Sequence, residues 1–363
     1  LGLMTACVAA LAALWLNRKK PRCDAWTDGM PWWLILALVL PLTALGGYLQ
    51  YTHTLRPVDG ALWVGQSTYG DLCLHLGIAT SLRGASYPPD YSLLPGALLG
   101  YPFLGDGMVT TMLLFGTDLA TGFVVTGTLM MALVYLGFVI FCWELTRSRA
   151  ATVVATALMF INGGLGFLYT FDGVFRDPTM LKNVFTGFYN TPTNMPDLNL
   201  RWVNVISDMM VPQRTLLTGW MVLLPALYMF IDAAKTRKLP RFALLGIWAG
   251  MMPMVHTHSF FALGLASIVL MVVLKWNPIQ WFGWIVAAAS LVLLLHTGIF
   301  GMNEFAGPIA EDIRLGEVED VQEKMEDAVV YYRDMANALS AEATREAPEL
   351  AVLNEQAGNG FEN

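Results

Sequence analysis

The residues best suited to chemistry fall in four short runs. The first is Tyr69-Gly70-Asp71-Leu72-Cys73-Leu74-His75. Asp71 and His75 stand four apart, so on a helix they share one face. A carboxylate beside an imidazole can serve as a general base or hold a divalent cation. Asp71 also suits a helix N-cap, because it follows Gly70 at the head of an apolar run. The second run pairs Tyr87-Pro88-Pro89-Asp90 with Tyr101-Pro102-Phe103-Leu104-Gly105-Asp106. Each reads as a rigid turn ending in a carboxylate, solvated or turned to a ligand, since a residue before proline is held extended.

The third run is Trp202-Val203-Asn204 followed by Val211-Pro212-Gln213-Arg214-Thr215. Pro212 suits the first position of a helix, which would put Gln213 and Arg214 in its first turn. A guanidinium at a helix N-terminus fits a phosphate group, or simply reaches for lipid headgroups. The fourth run is Val255-His256-Thr257-His258. Two histidines two apart do not share a helical face, so they act together only across a turn or an extended joint. His296 stands alone in an apolar run and reads as a core residue.

Composition says what must carry these groups. The 363 residues are 56% hydrophobic and only 13% charged, against about 25% charged in soluble domains. The apolar residues come in blocks, and a spanning helix needs about 20 of them. Candidate spans lie at about 1–16, 32–51, 120–143, 150–169, 216–233, 242–257, 259–274 and 279–299. The fold class is therefore all-α, a polytopic transmembrane bundle of about eight spans. The first span is short, as a truncated start would make it. Of the four cysteines, Cys7 and Cys142 lie in apolar runs, and no zinc spacing occurs.

Charge gives the orientation. Arg18, Lys19, Lys20 and Arg22 fill one connection; Arg147 and Arg149 sit in a second, Lys235, Arg237, Lys238 and Arg241 in a third, and Lys275 in a fourth. These alternate connections are short and basic, which makes them cytoplasmic. The long connections 52–119 and 170–215 are then extracytoplasmic, and their aromatic content fits folding over a cavity at the membrane surface. Segment 72–83 suits a short interfacial helix. Residues 301–363 carry 15 acidic and 4 basic side chains, whereas residues 1–300 carry 13 acidic and 17 basic. The mildly basic membrane part is thus followed by an acidic, helix-prone tail, expected outside. No basic patch with interleaved aromatics points to nucleic acid.

With that topology, Asp71, His75, Asp90, Asp106, Gln213, Arg214, His256 and His258 all fall at or near one membrane face. The run YGDLCLHLGIATSLRGASYPPDYSLLPGALLGYPFLGD, with MVPQRTLLTGW and MVHTHSF, resembles a group of bacterial and archaeal multi-span proteins related to the GT-C glycosyltransferases. The resemblance covers about residues 60–300. That superfamily includes protein O-mannosyltransferases and oligosaccharyltransferases. The resemblance implies a GT-C-like enzyme of the cell envelope, in the plasma (inner) membrane of a prokaryote. It would take a sugar from a polyprenyl-phosphate-linked donor, often with a divalent cation such as Mg or Mn.

Under the resemblance, Asp71 is the acidic catalytic residue, helped by His75, and the two are the candidate metal ligands. Arg214 would meet the lipid phosphate, with Asp90, Asp106, Gln213, His256 and His258 as further substrate contacts. The family's acid follows the first span and is often paired, whereas two spans precede a lone Asp71 here. Two other readings compete: a transporter or flippase for a lipid-linked or polar substrate, and a non-catalytic membrane scaffold that binds a partner through its tail.

Overall fold

The computed structural model describes residues 29–65, 68–85, 89–93, 99–164, 167–186, 203–274 and 281–289, together with Val330 and Arg333. The chain is mostly helical. Residues 1–300 form one compact unit and 301–363 another. Apart from Val330 and Arg333, the acidic tail lies outside the described residues, as do the expected first span and the basic run Arg18–Arg22.

Among the described residues, three helices are long and apolar enough to cross a membrane: α1 (Trp32–His53), α4 (Leu119–Thr146) and α8 (Arg214–Thr236). Only 17% of the apolar window of α1 is buried within the chain. Leu36, Leu40 and Leu45 face outward from it, and Val125, Leu129 and Leu133 from α4. A water-soluble monomer does not expose contiguous surface of that kind, whereas a bilayer accepts it at no cost. The 28 residues of α4 extend about 42 Å at the helical rise, enough for the roughly 30 Å hydrocarbon core.

Local chemistry fixes the ends of these helices. The Asp118 carboxylate caps α4 by accepting from the Thr121 backbone N–H at 2.9 Å. Arg147 ends α4 in the left-handed region (φ 50°), and Ser148 at once caps α5 (Arg149–Phe160) through its hydroxyl. The run expected to span 150–169 stops at Phe160, ahead of Asn162-Gly163-Gly164. There the Asn204 amide donates to the carbonyls of Phe160 (3.0 Å) and Asn162 (2.7 Å), giving otherwise orphaned acceptors at a helix end their partner. Two short helices follow, α6 (Phe167–Arg176) and α7 (Thr179–Thr186), and a π-helix at Val205–Met210 leads into α8.

The all-α expectation needs one small correction. Arg56–Val58 (β1) and Ala61–Trp63 (β2) form an antiparallel hairpin. Asp59 and Gly60 both have positive φ (50° and 81°), the two-residue turn that matches strand twist.

Contacts along the helices give their directions. Gly127 of α4 packs on the Gln50 amide near the end of α1, and Gly46 packs on Met131 and Tyr135. At the other end the Arg149 guanidinium lies 5.9 Å from the Trp33 ring centroid, so α1 and α4 run antiparallel. The α4 and α8 helices run parallel: Arg214 meets Thr126, Thr218 meets Met130, and Lys235 meets Glu144. Met130, Met131, Val134 and Tyr135 of α4 are fully buried in the core of the bundle. Helix α9 (Leu239–Met251), the 3₁₀ turn Met252–Met254 and α10 (Thr257–Leu274) pack on α8, and a helix at 281–289 follows.

Two of the basic connections therefore meet at one end of the bundle. Arg147 and Lys235 both donate to Glu144 at 2.5 Å. The carboxylate is buried, but Arg147 is 46% and Lys235 59% exposed, so water can take over both cations if the acid is lost. Glu144→Gln is expected to lower stability by no more than about 1 kcal/mol, checked by thermal unfolding in detergent.

Candidate functional site

The opposite end of the bundle holds a second polar cluster. Helix α2 (Tyr69–Ser81) brings Asp71 and His75, and α3 (Leu104–Leu114) brings Asp106 in its first turn, where the helix dipole favours a carboxylate. Leu72, Ile78 and Ala79 on α2 are buried, as are Val109 and Leu113 on α3. The Thr110 hydroxyl locks the two helices by donating to the Ala79 carbonyl at 2.8 Å. Gly105 lets α3 lie against α8, because a Cβ there would stand 2.4 Å from the Thr218 hydroxyl.

Asp106, His75 and Arg214 form one buried chain. Asp106 Oδ2 lies 2.8 Å from His75 Nδ1, and Asp106 Oδ1 accepts from Arg214 Nε at 3.2 Å. Arg214 also donates to the Phe123 carbonyl (3.3 Å) and the Thr126 hydroxyl (2.7 Å), and its guanidinium stacks 4.6 Å from the Phe123 ring centroid. His75 is 1%, Asp106 0% and Arg214 2% exposed. Helices α2, α3 and α8 thus meet at the Asp106 carboxylate, and α4 holds the far side of the guanidinium.

In front of this chain lies a cavity of about 640 Å³, lined by Asp71, His75, Tyr101, Pro102, Gln213, Thr215, Leu216, His256, Thr257 and His258. That volume is in the range of small-molecule sites. Of the eight residues expected from sequence, five border it: Asp71, His75, Gln213, His256 and His258. Asp106 and Arg214 belong to the buried chain behind it, and Asp90 is an exposed residue outside its lining.

Several expected roles change accordingly. Asp71 is not the cap of α2; the helix begins after Thr68, and Asp71 sits in its first turn. Its carboxylate is half-buried and has no hydrogen-bond or ion-pair partner among the described residues. The carboxylate that holds His75 is Asp106, 31 positions away, rather than Asp71 on its own helix. Asp106 is neither a solvated acid nor a surface contact. Arg214 is the first residue of α8, but its donors are engaged inward, so it does not present a free guanidinium to a phosphate.

The joint between α9 and α10 brings His256 and His258 together. Pro253 lies in the 3₁₀ turn, and Val255 and His256 are not helical. The two rings then approach to 5.2 Å between centroids. His256 Nδ1 lies 2.8 Å from the Ser259 hydroxyl, and the ring sits directly on Gly219 of α8, where a Cβ would come within 2.4 Å of Nδ1. Gly219→Ala is expected to destabilise by about 1–3 kcal/mol through overpacking and to push His256 into the cavity. Thermal unfolding together with the His256 imidazole resonances checks both effects.

Tyr101, five residues before Asp106, joins the cavity wall without a role expected from sequence. Its hydroxyl lies 2.9 Å from the Thr215 hydroxyl, and its ring meets His75 edge-on at 6.1 Å. Burial, first, and then the nearby Asp106 and Asp71 charges lift the phenol above its ordinary range, so it remains a neutral hydroxyl at physiological pH. The residue before Pro102 was legible as a rigid turn, but not as part of the wall.

The donor set does not make a cation site. Among the described residues no three His, Cys, Asp or Glu side chains come together as metal ligands, and His75 already gives one ring nitrogen to Asp106. No protein-family model, curated protein or solved structure matches the chain.

Proposed function

We propose that the chain is an integral membrane glycosyltransferase of GT-C-like kind, moving a sugar from a polyprenyl-phosphate-linked donor to an acceptor hydroxyl at the extracytoplasmic face of a prokaryotic plasma membrane. The observation that carries the reading is the Asp71 carboxylate, without a hydrogen-bond or ion-pair partner among the described residues and set with the His75 imidazole in one cavity. Breaking a glycosyl–phosphate bond builds positive charge on the sugar ring and takes a proton from the acceptor. A carboxylate answers the first need and a held imidazole the second.

The cavity lies at the far end of the bundle from Arg147 and Lys235. By the positive-inside rule it then faces away from the cytoplasm, where polyprenyl donors of this class are used. With Arg214 engaged by Asp106, the donor phosphate is assigned instead to Gln213 and the His256–His258 pair at the cavity wall.

Purified protein in liposomes, given a radiolabelled polyprenyl-phosphate sugar and hydroxyl acceptors, tests the reading. A new glycosidic product that needs the folded protein is the expected result. Movement of the intact donor across the bilayer with no new glycosidic bond would replace the enzyme with a flippase.

A further inference from the structure

The buried chain Arg214–Asp106–His75 has the form of a proton-handling relay. A carboxylate only accepts hydrogen bonds, so the hydrogen between it and His75 belongs to Nδ1. The neutral ring then keeps its lone pair on Nε2. Nε2 has no partner among the described residues, and His75 borders the cavity beside Asp71. Arg214 and Asp106 are both buried, and neither borders the cavity. Their placement makes sense as support for the histidine.

Resting on the glycosyl-transfer reading, we infer that His75 Nε2, rather than Asp71, takes the acceptor's proton, and that Asp106 and Arg214 are positioning residues for it. The acceptor oxygen forms its bond to the anomeric carbon of the sugar. The bond from that carbon to the phosphate oxygen breaks, and its electron pair leaves with the phosphate. The acceptor proton moves to Nε2, and the resulting imidazolium faces the Asp106 carboxylate. Asp71 orients the acceptor and faces the positive charge that develops on the sugar.

Arg214 makes the relay testable through Asp106→Asn. The guanidinium Nε needs an acceptor, so it holds the carboxamide oxygen of the new side chain toward itself. The amide NH₂ then faces His75 Nδ1, which must accept. The imidazole is forced into the other tautomer, with hydrogen on Nε2, and can no longer take a proton there. The same exchange in the serine-protease triad lowers turnover by about 10⁴-fold with geometry intact.

The chain has five histidines, few enough for nitrogen-15 imidazole spectra of the labelled full-length protein, with His75→Gln to assign the signal. The expected results are an Nδ1–H tautomer at His75 in the wild type, an Nε2–H tautomer in Asp106→Asn, and sugar transfer reduced about 10³–10⁴-fold in that variant. A wild-type His75 in the Nε2–H form overturns the relay whatever the transfer assay gives, and needs no variant to fold. An Asp106→Asn protein with the switched tautomer and full transfer removes His75 from the proton step. Correct tautomers with no transfer by the wild type overturn the glycosyl reading and the proton step with it.

Discussion

Arg214→Met is expected to be the most destabilising single change at the site, costing about 3–5 kcal/mol, because it leaves a buried carboxylate without its counter-charge. Asp106 is 0% exposed and has no water to turn to. The same change also removes the hydrogen bonds to the Phe123 carbonyl and the Thr126 hydroxyl, which tie the start of α8 to the start of α4. The contrast with Glu144→Gln is one of environment, not of charge. At that end the cations reach water, so the loss is small; at this end neither Asp106 nor Arg214 does. Asp106→Asn combined with Arg214→Met should recover part of the loss, since no bare charge is then buried. Thermal unfolding and folded yield in detergent measure both. An Arg214→Met protein that melts with the wild type would mean that the guanidinium is not held by Asp106.

Asp71→Asn is expected to do the opposite: leave the fold intact and reduce sugar transfer about 10²–10³-fold, the size of effect seen when one preorganised electrostatic group is lost from an active site. The fold should be spared because the carboxylate has no partner among the described residues to lose, and because the α2 cap does not depend on it. Asparagine keeps the size and a carbonyl acceptor but not the charge. A loss of rate with unchanged melting temperature therefore isolates the electrostatic role. Initial rates with the lipid-linked donor, beside unfolding curves for the same preparations, give the answer. Full activity would take Asp71 out of the mechanism.

Length and polarity made α1, α4 and α8 readable, because burying 20 apolar residues in a row leaves few alternatives to a spanning helix. Helix α5 was not readable to its end. The apolar run reads on through Asn162-Gly163-Gly164 to about 169, Asn204 supplies the cap from 42 residues away, and no local pattern announces that. The shared face of Asp71 and His75 follows from helical spacing alone, and both border the cavity. The partner of His75 does not follow, because it depends on how α2 packs on α3. Arg214 shows the same gap. A guanidinium in the first turn of a helix can turn to water, to lipid or inward, and only the position of Asp106 decides which. The requirement for a non-helical joint at His256–His258 was legible, and Pro253 provides it. Gly219, which seats His256, carried no signal, because a glycine in an apolar helix looks the same whether or not a ring lies on it.

The most direct measurement is a cryo-electron microscopy map of the full chain in lipid nanodiscs with a non-transferable polyprenyl-phosphate sugar analogue. The sugar–phosphate junction is expected in the cavity between α2, the start of α8 and the α9–α10 joint, within hydrogen-bond reach of Asp71 and His75 Nε2. An analogue held elsewhere, such as the Glu144 end of the bundle, with this cavity filled by lipid or side chains, would contradict it.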